Sequence, residues 1–218
     1  MGEGIGHIIT PVSAAWCGWT MLFLLVCGIL AEIFQPGVVS QAYVSLWART
    51  ERTYKEAPVN FLGQLFVSVY RIGTLSFALC ICLYTDGHCS FAGYSAVFGI
   101  VLAVLLIKML CNVVLGYAFS LRRQTMDAYE HYSNITTIAC LALSAAMLGL
   151  MRYGDKEIAM WVFWSVTTAF LLIWIYRSWQ IFVSRPIEVV YLLIYMATLE
   201  ILPISMVYYL SEQTISLL

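Results

Sequence analysis

Residues 91–119 read FAGYSAVFGIVLAVLLIKMLCNVVLGYAF, and Lys108 is the one charged residue in the stretch. As one helix with a rise of about 1.5 Å per residue, this stretch is longer than the roughly 30 Å thickness of the hydrocarbon core of a bilayer. An apolar run of this length is typical of a membrane-spanning helix rather than of a helix in a soluble domain. The stretch therefore predicts an α-helical membrane protein.

The composition agrees with this interpretation. Of the 218 residues, 62% are hydrophobic and 11% are charged, whereas soluble domains carry about 25% charged residues. The net charge of −1 gives no large basic surface, so we expect no nucleic-acid partner. We expect residues 1–218 to form one integral membrane domain, an all-α bundle of about six spanning helices. The predicted spans are residues 16–34, 61–84, 91–119, 133–151, 158–176 and 187–210.

The first span is expected to be retained rather than cleaved as a signal peptide. Residues 1–10 contain no Lys or Arg, and no small-x-small cleavage site follows before Glu32. Six of the seven cysteines lie inside apolar runs, which predicts small packing residues and no disulfide framework. The residue patterns predict no catalytic residue, no metal site and no cofactor.

The basic residues are unevenly divided between the loops. Loops after the first, third and fifth predicted spans hold seven of them and the other loops hold two. Because cytoplasmic loops collect Lys and Arg, both termini are predicted to lie outside the cytoplasm. Residues 41–56 mix aromatic, apolar and basic residues, and we expect an amphipathic segment on the cytoplasmic headgroups. The basic residues of the first group are Arg49, Arg52, Lys55, Arg122, Arg123, Arg177 and Arg185, and those of the second are Arg152 and Lys156.

Tryptophans lie near the ends of the first and fifth predicted spans. This placement predicts an aromatic belt at the membrane surface, with a stacking platform for a ligand as the alternative. The residues are Trp16, Trp19, Trp161, Trp164, Trp174 and Trp179.

Two ionisable residues lie deep in predicted spans. Arg71 is about 15 Å and Glu200 about 20 Å from the cytoplasmic start of their helices, counted at the helical rise. Because an isolated charge in hydrocarbon is costly, we expect the two to pair. Pro203 follows Glu200 by three residues and, lacking an N–H, predicts a helix break beside the acid. The alternative places Arg71 at the membrane boundary, after an interfacial helix over residues 59–70.

Three further residues complete the candidate polar cluster. Lys108 either joins the charged pair or extends to the headgroups. Asn112 can hydrogen-bond between helices. Tyr195 lies five residues before Glu200 and is a candidate helper hydroxyl if the site is catalytic.

Residues 191–203, YLLIYMATLEILP, resemble the C-terminal signature of a multi-pass membrane family of Bacteroidota that is known as the domain of unknown function DUF4271. The resemblance extends over about residues 40–210, including Tyr129 to Asn134 and the Arg-bearing end of the fifth span. Leu199-Glu200-Ile201-Leu202-Pro203 is its most specific part. It implies the inner membrane of a bacterium with two membranes, and supplies no activity, substrate or catalytic residue.

Three functions are compatible with these features. The leading hypothesis is a non-enzymatic scaffold or accessory subunit of an envelope assembly, in contact with the lipid bilayer and with a second copy or an envelope partner. The first alternative is a small transporter or lipid-handling protein that uses the Glu/Arg cluster, and a polar, water-accessible cavity reaching Glu200 would favour it. The second alternative is an intramembrane enzyme, which would need a second acid or a nucleophile beside Glu200.

Overall fold

The computed structural model describes residues 11–47, 60–83, 90–118, 122–153, 156–182 and 201–217. Within these ranges the chain is helical and contains no strand, so the predicted all-α bundle is confirmed. The helices are α1 (Pro11–Phe34), α2 (Val38–Trp47), α3 (Phe61–Leu83), α4 (Phe91–Ala118), α5 (Arg122–Tyr153), α6 (Lys156–Phe182) and α7 (Leu202–Leu217).

Five of the described helices are long and apolar enough to cross a membrane. Their apolar spans are Ala15–Phe34, Phe61–Leu83, Phe91–Val114, Glu130–Gly149 and Met160–Gln180. The chain is therefore a multi-pass membrane protein. Most of the sixth predicted span, residues 187–200, lies outside the described residues. Helix α7 begins at Leu202 and continues to Leu217, past the predicted end at residue 210.

Two helices extend further into the polar sequence than the apolar runs predict. Helix α5 begins at Arg122, well before residue 133, because residues 122–132 contain no proline or glycine that would stop it. Helix α6 continues past residue 176 to Phe182. Arg177, assigned to a loop from the sequence, therefore lies inside α6 and is buried.

The segment predicted to be amphipathic, residues 41–56, is only partly described. Residues 38–47 form α2, which packs against α5, and Ala42 in α2 has no exposed surface. Residues 48–56 lie outside the described residues. At least its first part is therefore packed against the bundle.

The turn between α1 and α2 is fixed by a carboxylate. Glu32 accepts hydrogen bonds from the backbone N–H groups of Gly37, at 2.7 Å, and Val39, at 3.2 Å. These donors lie at the start of α2, where backbone N–H groups have no partner within the helix. Gly37 has φ of 90°, a conformation that glycine adopts without steric cost.

Helix α3 lies at the centre of the bundle and packs against α1, α4, α5, α6 and α7. Its side chains Phe77, Ala78 and Cys80 are fully buried. An aromatic cluster closes one end of this core: the Trp16 ring lies 6.2 Å from that of Phe77 and 6.0 Å from that of Tyr94. Outward-facing side chains are largely apolar, as in Ile107 and Leu110 of α4. An apolar exterior suits contact with lipid chains.

Candidate functional site: an apolar cavity with a basic end

A cavity of about 190 Å³ lies between α3, α4, α5, α6 and α7. Most of its wall is aliphatic or aromatic, including Leu79, Val101, Leu143 and Phe163. Lys108 is the one charged residue among the described residues that line it. The cavity is therefore an apolar space with a single cationic position in its described wall.

Lys108 lies in a pocket of aromatic rings. The side chain is 7% exposed, and its Nζ lies 3.5 Å from the centroid of the Tyr132 ring. The Trp174 ring stands edge-on to Tyr132, with 5.2 Å between centroids. A cation over an aromatic face gains about 2 kcal/mol when water is excluded, which offsets part of the cost of burying the ammonium group.

Two arginines lie one helical turn beyond this position, towards the same end of the bundle. On α3, Arg71 precedes the cavity-lining Leu75 by four residues, and its Nη1 donates to Ser133 Oγ at 2.6 Å. On α6, Arg177 follows Trp174 by three residues, and its Nη1 donates to Gln180 Oε1 at 3.0 Å. We call this region, defined by Arg71, Lys108 and Arg177, the basic end.

The remaining cavity wall extends away from the basic end and becomes apolar. Along α3 the lining passes from Leu75 to Leu79, and along α5 from Tyr132 to Leu143. Phe163 of α6 lies three turns from Trp174 in the same direction. The cavity therefore has a polar end and an apolar end, as an amphipathic molecule does.

Trp174 lines the cavity and carries a buried indole N–H. The residue is 2% exposed and lines the cavity, and its indole Nε1 is buried without a hydrogen-bond partner. Buried tryptophan N–H groups usually find an acceptor. The ring of Trp174 therefore contributes to the cavity wall while its N–H stays buried away from solvent.

A hydrogen-bonded chain fixes α3 against α5 beside the cavity. The Ser144 hydroxyl donates to the backbone oxygen of Cys140 at 2.8 Å. Its single hydrogen is thereby used, so the Tyr70 hydroxyl donates to Ser144 Oγ, also at 2.8 Å. The contact is structural: it sets the separation of two helices that form the cavity wall.

The structure places several residues of the candidate polar cluster together. Lys108 and Pro203 line the same cavity, and Arg71 lies one turn beyond it. Asn112 is half-buried, one turn past Lys108 on α4. Pro203 is the second residue of α7, and Ile201 just before α7 is π-helical.

Glu200 and Tyr195 lie outside the described residues. The pairing of Glu200 with Arg71 and the helix break at Pro203 therefore stay predictions. One hydrogen bond of the Arg71 guanidinium goes to the neutral Ser133 hydroxyl.

Sequence reasoning missed the aromatic part of the site. Trp161 and Trp179 face outward, as in the predicted aromatic belt, but Trp174 is buried inside the bundle. Nothing in the sequence marks Tyr132 as part of a site. The signal that was available is Lys108, because a lysine far inside an apolar run needs an electron-rich neighbour.

No three His, Cys, Asp or Glu side chains among the described residues are close enough to hold a metal ion. The six cysteines within the described ranges form no disulfide, and Cys27, Cys80, Cys82 and Cys140 are buried. Cys89 lies outside those ranges.

Comparison with known proteins identifies a family. The family model of the domain of unknown function DUF4271 matches residues 18–210, most of the chain. No curated protein and no solved structure matches the chain. The chain belongs to the DUF4271 family.

Proposed function

We propose that this protein is a non-enzymatic integral membrane protein that binds an amphipathic membrane molecule inside its helical bundle. The cavity between α3 and α7 is the observation that carries the proposal. Its volume of about 190 Å³ exceeds that of an engineered apolar cavity of about 150 Å³ that binds benzene. It can hold a ring or a length of acyl chain.

The wall chemistry favours a lipid-like molecule over an inorganic ion. An ion pathway through a membrane is lined by charged or polar groups or by backbone carbonyls that replace water. The described wall of this cavity is instead mostly hydrocarbon, with Lys108 at one end. Binding of a lipid-like molecule corresponds to the lipid-handling part of the first alternative from the sequence.

The proposal is tested by filling the cavity. Ala139 is buried on α5 and lines the cavity, so Ala139→Leu should displace a bound molecule. Ala169→Leu is the matched control, because Ala169 is exposed on α6. Native mass spectrometry of protein extracted in mild detergent should show bound lipid on the wild type and Ala169→Leu, and little on Ala139→Leu.

A second filling variant guards against overpacking. If Ala139→Leu fails to fold, Val207→Phe fills the cavity from α7, where Val207 is half-buried. Wild-type protein that carries no lipid, or folded filling variants that carry as much as the wild type, would contradict the proposal.

A scaffold or accessory subunit of an envelope assembly is the second candidate. Ala145 and Gly149 are exposed one turn apart on α5, and a Cβ at Gly149 would meet no atom within 4 Å. Small residues at this spacing allow another helix to approach closely.

A second copy or a partner should then remain bound in mild detergent, and Gly149→Leu should release it. A monomer without a partner would count against this role.

We propose the cytoplasmic membrane of a bacterium as the location, with both termini outside the cytoplasm. The family resemblance supports the membrane, and the uneven distribution of Lys and Arg supports the orientation. In this orientation the basic end faces the cytoplasm.

A further inference from the structure

We propose that the cavity holds one acyl chain of a bilayer lipid, that this chain enters sideways between α6 and α7, and that the lipid head stays outside the bundle. This inference rests on the proposed function, because it names the part of the membrane molecule that the cavity binds and its route of entry. Three observations support it: the length of the cavity, the chemistry of its wall, and the exposure of the side formed by α6 and α7.

The cavity is long and narrow. Its lining on α6 extends from Phe163 to Trp174, and its lining on α5 extends from Tyr132 to Leu143. The two residues that bound each interval are separated by about 16 Å at the helical rise. A volume of about 190 Å³ spread over this length suits a flexible chain better than a compact ring system. Because the helices cross the bilayer, the cavity runs in the same direction as the acyl chains around the protein.

The described wall offers mainly hydrocarbon to a bound molecule. The Thr136 hydroxyl donates to the backbone oxygen of Tyr132 at 2.8 Å, and the Lys108 ammonium group lies over the Tyr132 ring. Most of the other described lining residues are aliphatic or aromatic. An apolar space of this kind stays dry and binds apolar molecules, and the surrounding bilayer supplies acyl chains. The lipid head needs water or polar partners, so it stays outside the bundle.

The cavity wall is buried on one side and exposed on the other. Leu79 of α3 and Leu143 of α5 line the cavity and are buried. On the other side, Phe170 of α6 is half-buried, and Ile204 of α7 is 41% exposed although it lines the same cavity. Within the described residues, the cavity wall therefore reaches the lipid-facing surface at α7.

A contact between two aromatic rings closes the seam between α6 and α7. Helix α6 packs against α5 and α3, whereas α7 packs against α4 and α3. Across the seam, the Trp164 ring of α6 lies 5.8 Å from the Tyr208 ring of α7. Both side chains are partly exposed, at 43% and 37%. Ile204 lies one turn before Tyr208 on the same face of α7, so the ring pair stands beside the exposed part of the cavity wall.

Quenching by a brominated lipid tests whether an acyl chain occupies the cavity. The full chain is reconstituted in vesicles of a lipid with bromine midway along its acyl chains, which quenches tryptophan fluorescence only at short range. Trp174 lines the cavity and is 2% exposed, so lipid outside the bundle does not touch it. The fluorescence of Trp174 is the difference between the wild type and Trp174→Phe. It should be lost in brominated vesicles and kept in unlabelled ones.

Two further comparisons complete this test. The loss should be the same for phosphatidylglycerol and phosphatidylethanolamine that carry the same brominated chains, because the head stays outside. If Trp174→Phe does not fold, Ala139→Leu, which fills the cavity, should be quenched less than the wild type.

Lipid exchange tests the route of entry. Protein loaded with a deuterated lipid is mixed with detergent micelles that contain the unlabelled lipid, and native mass spectrometry follows the replacement over time. Trp164→Ala and Tyr208→Ala each remove the ring contact and should speed replacement by about fivefold. Trp161→Ala is the matched control, because Trp161 is 77% exposed on the same helix, and it should leave the rate unchanged.

The possible results distinguish this inference from the proposed function. Bound lipid without quenching of Trp174 overturns the acyl chain but leaves a cavity that binds a membrane molecule. Quenching that depends on the lipid head overturns binding through the chain alone. Exchange that neither Trp164→Ala nor Tyr208→Ala speeds, or that Trp161→Ala speeds equally, overturns the route between α6 and α7. Absence of any bound lipid overturns both proposals.

Discussion

Arg71 shows how a charge is accommodated in the apolar part of this protein. It lies ten residues after the start of α3, in an apolar span that runs from Phe61 to Leu83. The Ser133 hydroxyl accepts a hydrogen bond from its guanidinium. A carboxylate beside a buried cation lowers its free energy, and Glu200 is the carboxylate that the sequence predicts at a comparable depth.

The predicted pair is tested by a double-mutant cycle. Arg71→Gln and Glu200→Gln should each lower thermal stability in detergent, because either change leaves one charge uncompensated at a cost of about 3 kcal/mol or more. The double variant should recover much of the loss, and the measure is the difference between its change and the sum of the single changes. Additive losses, or silent single changes, would show that the residues do not pair.

Part of the candidate site could be predicted from single residues. Lys108 and Pro203 stand out in the sequence as a charge and a helix breaker in apolar runs, and both line the cavity. Trp174 and Tyr132 could not be predicted, because tryptophan near a span end fits an aromatic belt equally well. Whether such a ring faces lipid or the bundle depends on helix rotation, which one sequence with a uniformly apolar pattern does not determine.

At the scale of the helices, the contact between α1 and α3 requires the end of α1 to lie close to the backbone of α3. A Cβ on Gly63 would lie 2.7 Å from Gln35 Cβ and 3.3 Å from the Gln35 backbone nitrogen. Beside this contact, Gln64 Nε2 donates to Gln35 Oε1 at 3.1 Å. The end of α1 therefore lies against α3 at a position where a larger residue cannot fit without backbone movement.

Gly63→Ala should destabilise the bundle although alanine favours helices. The added methyl must displace backbone, and overpacking of this kind costs about 1–3 kcal/mol. Thermal unfolding in detergent should show a lower midpoint. Gly99→Ala is the matched control, since a Cβ there meets no atom within 4 Å and the midpoint should stay or rise. Equal behaviour of the two variants would show that α1 does not pack against Gly63.

The helices themselves were largely predictable, and their ends and packing were not. Apolar runs long enough to span a bilayer indicate α1, α3, α4, α5 and α6. The ends differ where polar residues continue a helix, as at Arg122 of α5 and Arg177 of α6. The packing of α2 against α5 was not predictable, because an amphipathic segment can bury its apolar face in lipid headgroups or against protein.

At the scale of the whole molecule, the number of crossings determines the sides of the termini. Five described helices can cross the membrane. Helix α7 is described over 16 residues, or about 24 Å at the helical rise, which is short of a hydrocarbon core of about 30 Å. A sixth crossing therefore requires residues before Leu202 to continue the span. With six crossings the termini share a side, and with five they do not.

The orientation is predicted from the basic residues between the spans. With Arg177 buried inside α6, six basic residues lie on the predicted cytoplasmic side and two, Arg152 and Lys156, on the other. The excess is smaller than the sequence alone suggests, but its sign is unchanged, so both termini are still expected outside the cytoplasm.

Reporter fusions separate these possibilities. A reporter that is active only in the cytoplasm should be silent when it is fused after Leu218 and active when it is inserted beside Arg123. Activity at both positions would mean that residues before Leu202 do not complete a sixth crossing, because the C-terminus would then lie on the cytoplasmic side. Activity after Leu218 with silence beside Arg123 would reverse the orientation. The basic end would then face the opposite side of the membrane.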